Sequence, residues 1–160
     1  MSSPIIDRRR ASIIIGGTLS HESRERLIDA ILEDGTGPAL RIYFAKVDDV
    51  IEAIKSTIAA KQPLSLADHR AREGQFATIE ATCRKHNLSF RRHSFARARH
   101  EGEIQLHLPG VADLNVPATQ SGKPYATSEQ IREYASRRDL RALVDQMEAI
   151  FQPIPPLAAL

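Results

Sequence analysis

Apolar positions along this chain switch between two periods, and each switch marks an element. ASIIIGG (11–17) is a short β-branched run closed by two glycines, the pattern of a buried strand. Ser20 can then cap a helix reaching Asp34, with Leu27, Ile28, Ile31 and Leu32 on one face and Gly35 placed for a left-handed cap. ALRIYFA (39–45) alternates through Leu40, Ile42 and Phe44 and predicts a half-buried strand. Val47, Val50, Ile51, Ile54 and Ile58 keep helical spacing, with Asp48 and Asp49 in the first turn, Lys61 at the end and Pro63 beyond.

LSLAD (64–68) predicts a short strand. A third helix follows over 75–87, with Phe76, Ile79 and Cys83 inward and Asn87 ending it. LSFRRHSFA (88–96) and EIQLHL (103–108) predict a hairpin closed by Pro109-Gly110. Residues 111–126 lack periodicity and predict a long loop. Thr127 with Gln130, and Ser136 with Asp139, resemble capping boxes, and Leu140, Leu143, Val144, Met147 and Phe151 form a stripe on the last helix. The tail 152–160, with PIPPL, should run extended, and 1–10 should be a flexible arm. The predicted order is β-α-β-α-β-α-β-β-α-α. It implies one α+β domain over 1–160, a mixed sheet with packed helices.

One detail of the hairpin follows from strand geometry. Leu88 and Phe90 seek the core, and so does Phe95. Phe90 and Phe95 are an odd number of residues apart, so a regular strand cannot bury both on one face. A β-bulge at Arg91-Arg92-His93 would supply the missing residue and gather these side chains.

Composition adds an asymmetry of charge. The net charge is only +2, yet residues 84–100 hold six Arg or Lys, three His and no acid. The other 16 basic residues stand against 20 acids and leave the remainder at −4. No apolar run approaches the roughly 18 residues of a membrane span. MSSPIIDRRR lacks the apolar segment of a secretory signal, and a single Cys offers no disulfide framework, so the expected compartment is the cytoplasm.

The basic segment is the leading candidate for function. Guanidinium groups match phosphate or carboxylate oxygens in a planar fork and stay charged. Arg91, Arg92, His93, Arg97, Arg99 and His100 are therefore the expected contacts for an anionic partner, nucleic acid or an acidic protein surface. A solvated strand face would carry the same charges.

Other candidates are weaker. His86, His93, His100 and His107 recur every seven residues, with Cys83 three before His86, but this is no zinc spacing and strands would turn these rings to opposite faces. No metal or cofactor is expected. IIIGGTLS suggests a helix-start anion site, although GGT matches no phosphate-loop motif and a tight turn explains the glycines as well. Asp68-His69, Glu73, and His93 with Ser94 offer acid–base types without a signature, which leaves a small hydrolase or phosphate-handling enzyme centred near His93 as the alternative class. Residues 127–143 invite a helix-turn-helix reading through Arg137, Arg138 and Arg141. The interspersed Glu129, Glu133 and Asp139 favour two amphipathic helices packed on a sheet.

The run ADHRAREGQFATIEATCRKHNLSFRRHS (67–94), with the following LPG, resembles a group of small uncharacterised bacterial proteins of plasmids, phages and similar mobile elements. The resemblance implies a cytoplasmic accessory protein acting on host or competing-element machinery, and an inhibitor or modulator of a nucleic-acid-handling complex would fit that expectation. It carries no catalytic residues with it. The sequence thus predicts a non-enzymatic binding protein that uses a basic hairpin over 84–100.

Overall fold

A computed structural model describes residues 7–97 and 101–160. It is α+β: a six-stranded sheet with five helices. The strands are β1 (Arg8–Leu19), β2 (Leu64–Arg72), β3 (Ser89–Ser94), β4 (Gly102–Leu108), β5 (Ala112–Ala118) and β6 (Leu157–Ala159). The helices are α1 (His21–Asp34), α2 (Val47–Ala59), α3 (Ala77–Lys85), α4 (Ser128–Ser136) and α5 (Leu140–Ala149). Spatial order is β2-β1-β3-β4-β5, every pair antiparallel, with β6 running parallel beside the end of β1.

Local chemistry sets the helix ends. Ser20 and Ser23 close a capping box on α1, and Gly35 takes the left-handed cap at φ 66°. Thr127 and Gln130 do the same at the start of α4. Asn87 turns the chain out of α3 at φ 56°. The start of α3 is capped from another helix: Asp34, at the end of α1, accepts the backbone N–H groups of Thr78 (3.3 Å) and Ile79 (2.8 Å). Ser136 and Asp139 form no capping box. The Ser136 hydroxyl instead donates back to the Glu133 carbonyl.

The sheet has an apolar patch on each face, and the two are offset. On one face Ile13, Ile15, Leu64, Leu66 and Phe90 pack under Leu27 and Ile31 of α1, Val50 and Ile54 of α2, and Ile79 and Cys83 of α3. On the other, Ile104, Leu106, Val116 and Ala118 pack under Ile150 and Ile154. Helices thus cover β2-β1-β3 on one side, and the C-terminal segment covers β4 and β5 on the other. Each fully buried Leu, Ile or Phe contributes about 1.5–3 kcal/mol.

Four expectations need correction. Residues 39–45 are not a strand: they form a loop with isolated bridges Gly37↔Ala67 and Ala39↔Ile42, and Ile42 points outward. Residues 111–126 are not a bare loop, because 112–118 pair with β4 along its whole length. Of the expected N-terminal arm, Arg8, Arg9 and Arg10 belong to β1. The bulge is elsewhere too. The β1–β3 ladder is regular from Ala11↔Ser94 to Gly16↔Ser89, so Phe95 simply falls on the face opposite Phe90. The irregularity lies between β1 and β2, where Arg9↔Ala71 is followed by Ala11↔Asp68 and the extra residue is on β2. The tail runs extended, as expected, and its end pairs with β1 as β6.

On the last helix only Leu143 of the predicted stripe is buried. Leu140, Val144 and Phe151 are exposed, while α4 buries no residue.

The double glycine has a tertiary explanation. The strand does not turn there but continues to Leu19, and the C-terminal tail crosses directly over it. A Cβ on Gly16 would lie 1.7 Å from the Pro155 carbonyl oxygen, and Gly17, at φ 115°, takes a hydrogen bond from its N–H to the Pro156 carbonyl (3.2 Å). Gly110→Ala meets only left-handed strain of about 1–2 kcal/mol, since nothing lies within 4 Å of its Cβ. Gly16→Ala must displace the tail backbone and should cost more than that, upwards of about 3 kcal/mol in urea unfolding. Equal losses for the two variants would show that the tail does not constrain Gly16.

Candidate anion-binding face

The pleat divides the basic segment between the two faces of the sheet. Residues 90, 92 and 94 point toward α3, and residues 91, 93 and 95 point away. Adjacent arginines therefore do unlike jobs.

Arg92 is 2% exposed and lies between two carboxylates. Its Nε donates to Glu80 Oε1 (3.0 Å), and one terminal nitrogen donates to Glu103 Oε1 (2.9 Å), the Gly74 carbonyl (3.2 Å) and the Ser94 hydroxyl. Glu80 Oε2 accepts the Phe76 N–H (2.7 Å), so the ion pair also holds the first turn of α3. Burial works against ionisation of Glu103. The hydrogen bond and charge of Arg92, helped by Asn115 and Arg9, outweigh it and hold the carboxyl below its ordinary value. Arg92 is structural, and the expected contact set loses it.

Arg91 is half-buried on the opposite face. Its guanidinium donates to the Gln152 carbonyl (3.0 Å), and burial pushes its pKa down. His93 is two residues on along the same face. Burial pushes its pKa down, against a hydrogen bond with the Thr119 backbone, and its buried Nε2 has no hydrogen-bond partner among the described residues. These two residues line a cleft of about 260 Å³ with Ser12, Ile14, Ile104, Gly122 and Phe151.

Phe95 stacks on His93 with ring centroids 4.2 Å apart, and it forms a wall of a second cleft of about 440 Å³. The other walls are Arg8, Arg9, Arg10, His69, Ala96, Arg97 and Gln120. Arg97 is exposed and donates to the Arg8 carbonyl. Arg9 is committed within the protein, donating to the carbonyls of Glu101 (2.9 Å) and Glu73 (2.8 Å) and pairing with Asp7 (2.9 Å). Among the described residues, no Asp or Glu lines either cleft. Arg99 and His100 lie outside the described residues.

The sequence reading missed Arg8, Arg10 and His69 as neighbours of this face. Only the RRR triplet hinted at the first two, and the antiparallel pairing of β1 with β3 brings them beside Phe95, whose N–H donates to the Arg10 carbonyl (2.9 Å). The β2 irregularity places His69 across from Arg10. His69 belongs to a short chain of polar groups. Its Nδ1 meets the Tyr43 hydroxyl, which also donates to Asp68 Oδ1 (3.1 Å). Desolvation and the Asp68 carboxylate push the Tyr43 phenol up, so it stays protonated at neutral pH.

The other candidates separate in space. Asp68 and Glu73 line a third cleft of about 480 Å³ beside the start of α3, whereas His93 opens into its own, so the His93-centred acid–base pair is not assembled. His86 caps α3, His93 and His107 sit on opposite faces of the sheet, and no group of three metal-ligating side chains occurs among the described residues. Cys83 is buried, and desolvation followed by the Glu80 charge pushes its thiol up to about 12. Arg137 and Arg141 are exposed on α4–α5 but pair with Glu133 and Asp145 one turn away. No described helix is long and apolar enough to cross a membrane. Compared with known protein families, curated proteins and solved structures, the chain matches none.

Three outcomes test these assignments. The Arg92 network stabilises the fold while Glu103 is ionised. That contribution is complete above the ordinary carboxyl value of 4.5 and disappears as pH falls through the lowered folded value. Urea midpoints of the wild type should therefore drop more steeply below pH 4.5 than those of Glu103→Gln, and Glu80→Ala should cost about 3–5 kcal/mol at pH 7 by leaving Arg92 half-paired. Parallel acid profiles would contradict this. Cys83 should ignore a thiol reagent at pH 8 until denaturant opens the core, and prompt labelling of native protein would place it elsewhere.

Proposed function

We propose that the protein is a non-enzymatic binding protein that grips an anionic partner on the sheet face carrying Arg91, His93, Phe95 and Arg97. The observation that carries this reading is the pair of neighbouring clefts lined by Arg8, Arg10, Arg91 and Arg97 and, among the described residues, by no carboxylate. The partner that fits best is single-stranded nucleic acid. Concave, arginine-lined clefts suit a flexible phosphate chain better than a rigid duplex, and rings spaced along the face (His93, Phe95, Phe151) offer stacking surfaces for bases. Such a protein would serve as an accessory that modulates a nucleic-acid-handling complex.

Fluorescence anisotropy of labelled single- and double-stranded DNA and RNA across a salt series tests this. Single strands should bind more tightly, with affinity falling steeply as salt rises through counterion release. Arg91→Ala with Arg97→Ala should weaken binding at least about tenfold and reduce the salt slope by about 0.7 per lost phosphate contact, with an unchanged circular dichroism spectrum. Absence of binding to any oligonucleotide at low salt would discard nucleic acid and turn the search to acidic protein surfaces.

A further inference from the structure

The last helix carries a second apolar stripe that the protein's own core does not use. Leu143 and Ile150 are the buried stripe. Leu140, Val144, Met147 and Phe151 advance by four, three and four residues, the spacing of a helix–helix seam. At 3.6 residues per turn these four fall within about 60° of one another. The chain holds its helical course to the end of the stripe, since Ile150 keeps right-handed helical angles and the Phe151 N–H donates to the Glu148 carbonyl (3.2 Å). Yet Leu140 and Val144 are each 47% exposed, Phe151 is 53% exposed, and Met147 is only half-buried. Four large apolar side chains in one line, open to water, mark an interaction surface more often than isolated ones do.

Register and charge say what covers the stripe. A helix paired with an antiparallel copy of itself about a two-fold axis sets residue i against j and j against i. With the axis between Asp145 and Gln146, Leu140 lies opposite Phe151 and Val144 opposite Met147, so every apolar residue of the stripe meets another. Arg141 and Glu148 flank the stripe on the side away from Leu143 and Ile150, and both are exposed. Within one chain they stand at the wrong ends of the helix. Arg141 is in the first turn, near the positive pole, and Glu148 is in the last, near the negative pole. Antiparallel pairing brings each to the opposite pole of the other helix, and Arg141 of one copy to Glu148 of the other. Inside the chain Arg141 has only the solvent-screened Asp145 (3.0 Å), and no described side chain pairs with Glu148.

We propose that α5 pairs with the same helix of a second copy of this chain, antiparallel about a two-fold axis. Leu140, Val144, Met147 and Phe151 form the seam, and Arg141 with Glu148 forms two reciprocal ion pairs across it. Phe151 also lines the cleft of Arg91 and His93, so the second copy sits at the rim of that cleft. The pairing does not depend on what the anion-binding face takes.

Sedimentation equilibrium of the full chain, without nucleic acid, tests the pairing between about 1 and about 500 µM. The weight-average mass should rise toward twice that of the monomer. Val144→Glu should hold it at the monomer value with an unchanged circular dichroism spectrum. Arg141→Glu and Glu148→Arg should each weaken dimerisation at least about fivefold, because each sets like charges face to face twice, and the double variant should return to within about threefold of wild type. Damage to the fold would not be reversed by a second charge change. Direction is read by cysteine linkage under mild oxidation, with the native Cys83 buried out of reach. Leu140→Cys and Phe151→Cys proteins, when mixed, should link to each other faster than either links to itself. A monomer throughout the range, a double variant no better than the single ones, or preferred linkage of Leu140→Cys to itself overturns the proposal.

Discussion

A buried arginine constrains this structure more than any other side chain. Arg92 stands in the middle strand of the sheet, and a guanidinium taken from water must be matched in both charge and hydrogen bonds or the fold pays several kcal/mol. The match is assembled from four places: Glu80 on α3, Glu103 on β4, the Gly74 carbonyl before α3, and Ser94 on the same strand. Meeting those partners fixes the register of β3 against β4 and ties α3 to the sheet. A one-residue slip would turn Arg92 outward and drive Arg91 or His93 into the apolar layer under α3. The same requirement therefore decides which basic side chains remain on the open face.

The second constraint is the sharing of β1. It pairs with β2 on one side and β3 on the other, and its last residues take β6 as a further neighbour. A strand so crowded needs small residues where backbones cross, and Gly16-Gly17 meets that need under Pro155 and Pro156. The C-terminal tail thereby locks the far end of the chain to the first strand. Because the helical layer and the C-terminal segment are offset on opposite faces, the β1–β3 ladder is covered on one face and left partly open on the other. Clefts lie along that open strip, and arginines from both ends of the chain's first hundred residues line them.

Where a local signal and a tertiary demand agreed, the sequence was readable. The caps at Ser20, Gly35, Asn87 and Thr127 lie where their chemistry requires, and the stripes of α2 and α3 bury Val50, Ile54, Ile79 and Cys83. Alternation misled in both directions. Residues 39–45 alternate but find only isolated bridges, so Phe44 packs inward while Ile42 and Tyr43 face out. Residues 112–118 also alternate, with Leu114, Val116 and Ala118 on one face, but Asn115 and Pro117 disguised them. Proline is tolerated there because β5 is an edge strand.

By itself, the sequence determined the α+β class, most element types, and a basic segment with no acid of its own, because periodicity, caps and charge are local properties. Only the tertiary structure decided what each charge does. Pairing partners are chosen by strands far apart in the chain, and pairing sent Arg92 into a buried ion pair while turning Arg91 and His93 outward. It also brought Arg8 and Arg10 beside Arg97, and His69 within reach of Tyr43. Adjacent residues on a strand face opposite ways, and residues ninety positions apart can share a cleft, so the site exists only in the folded chain.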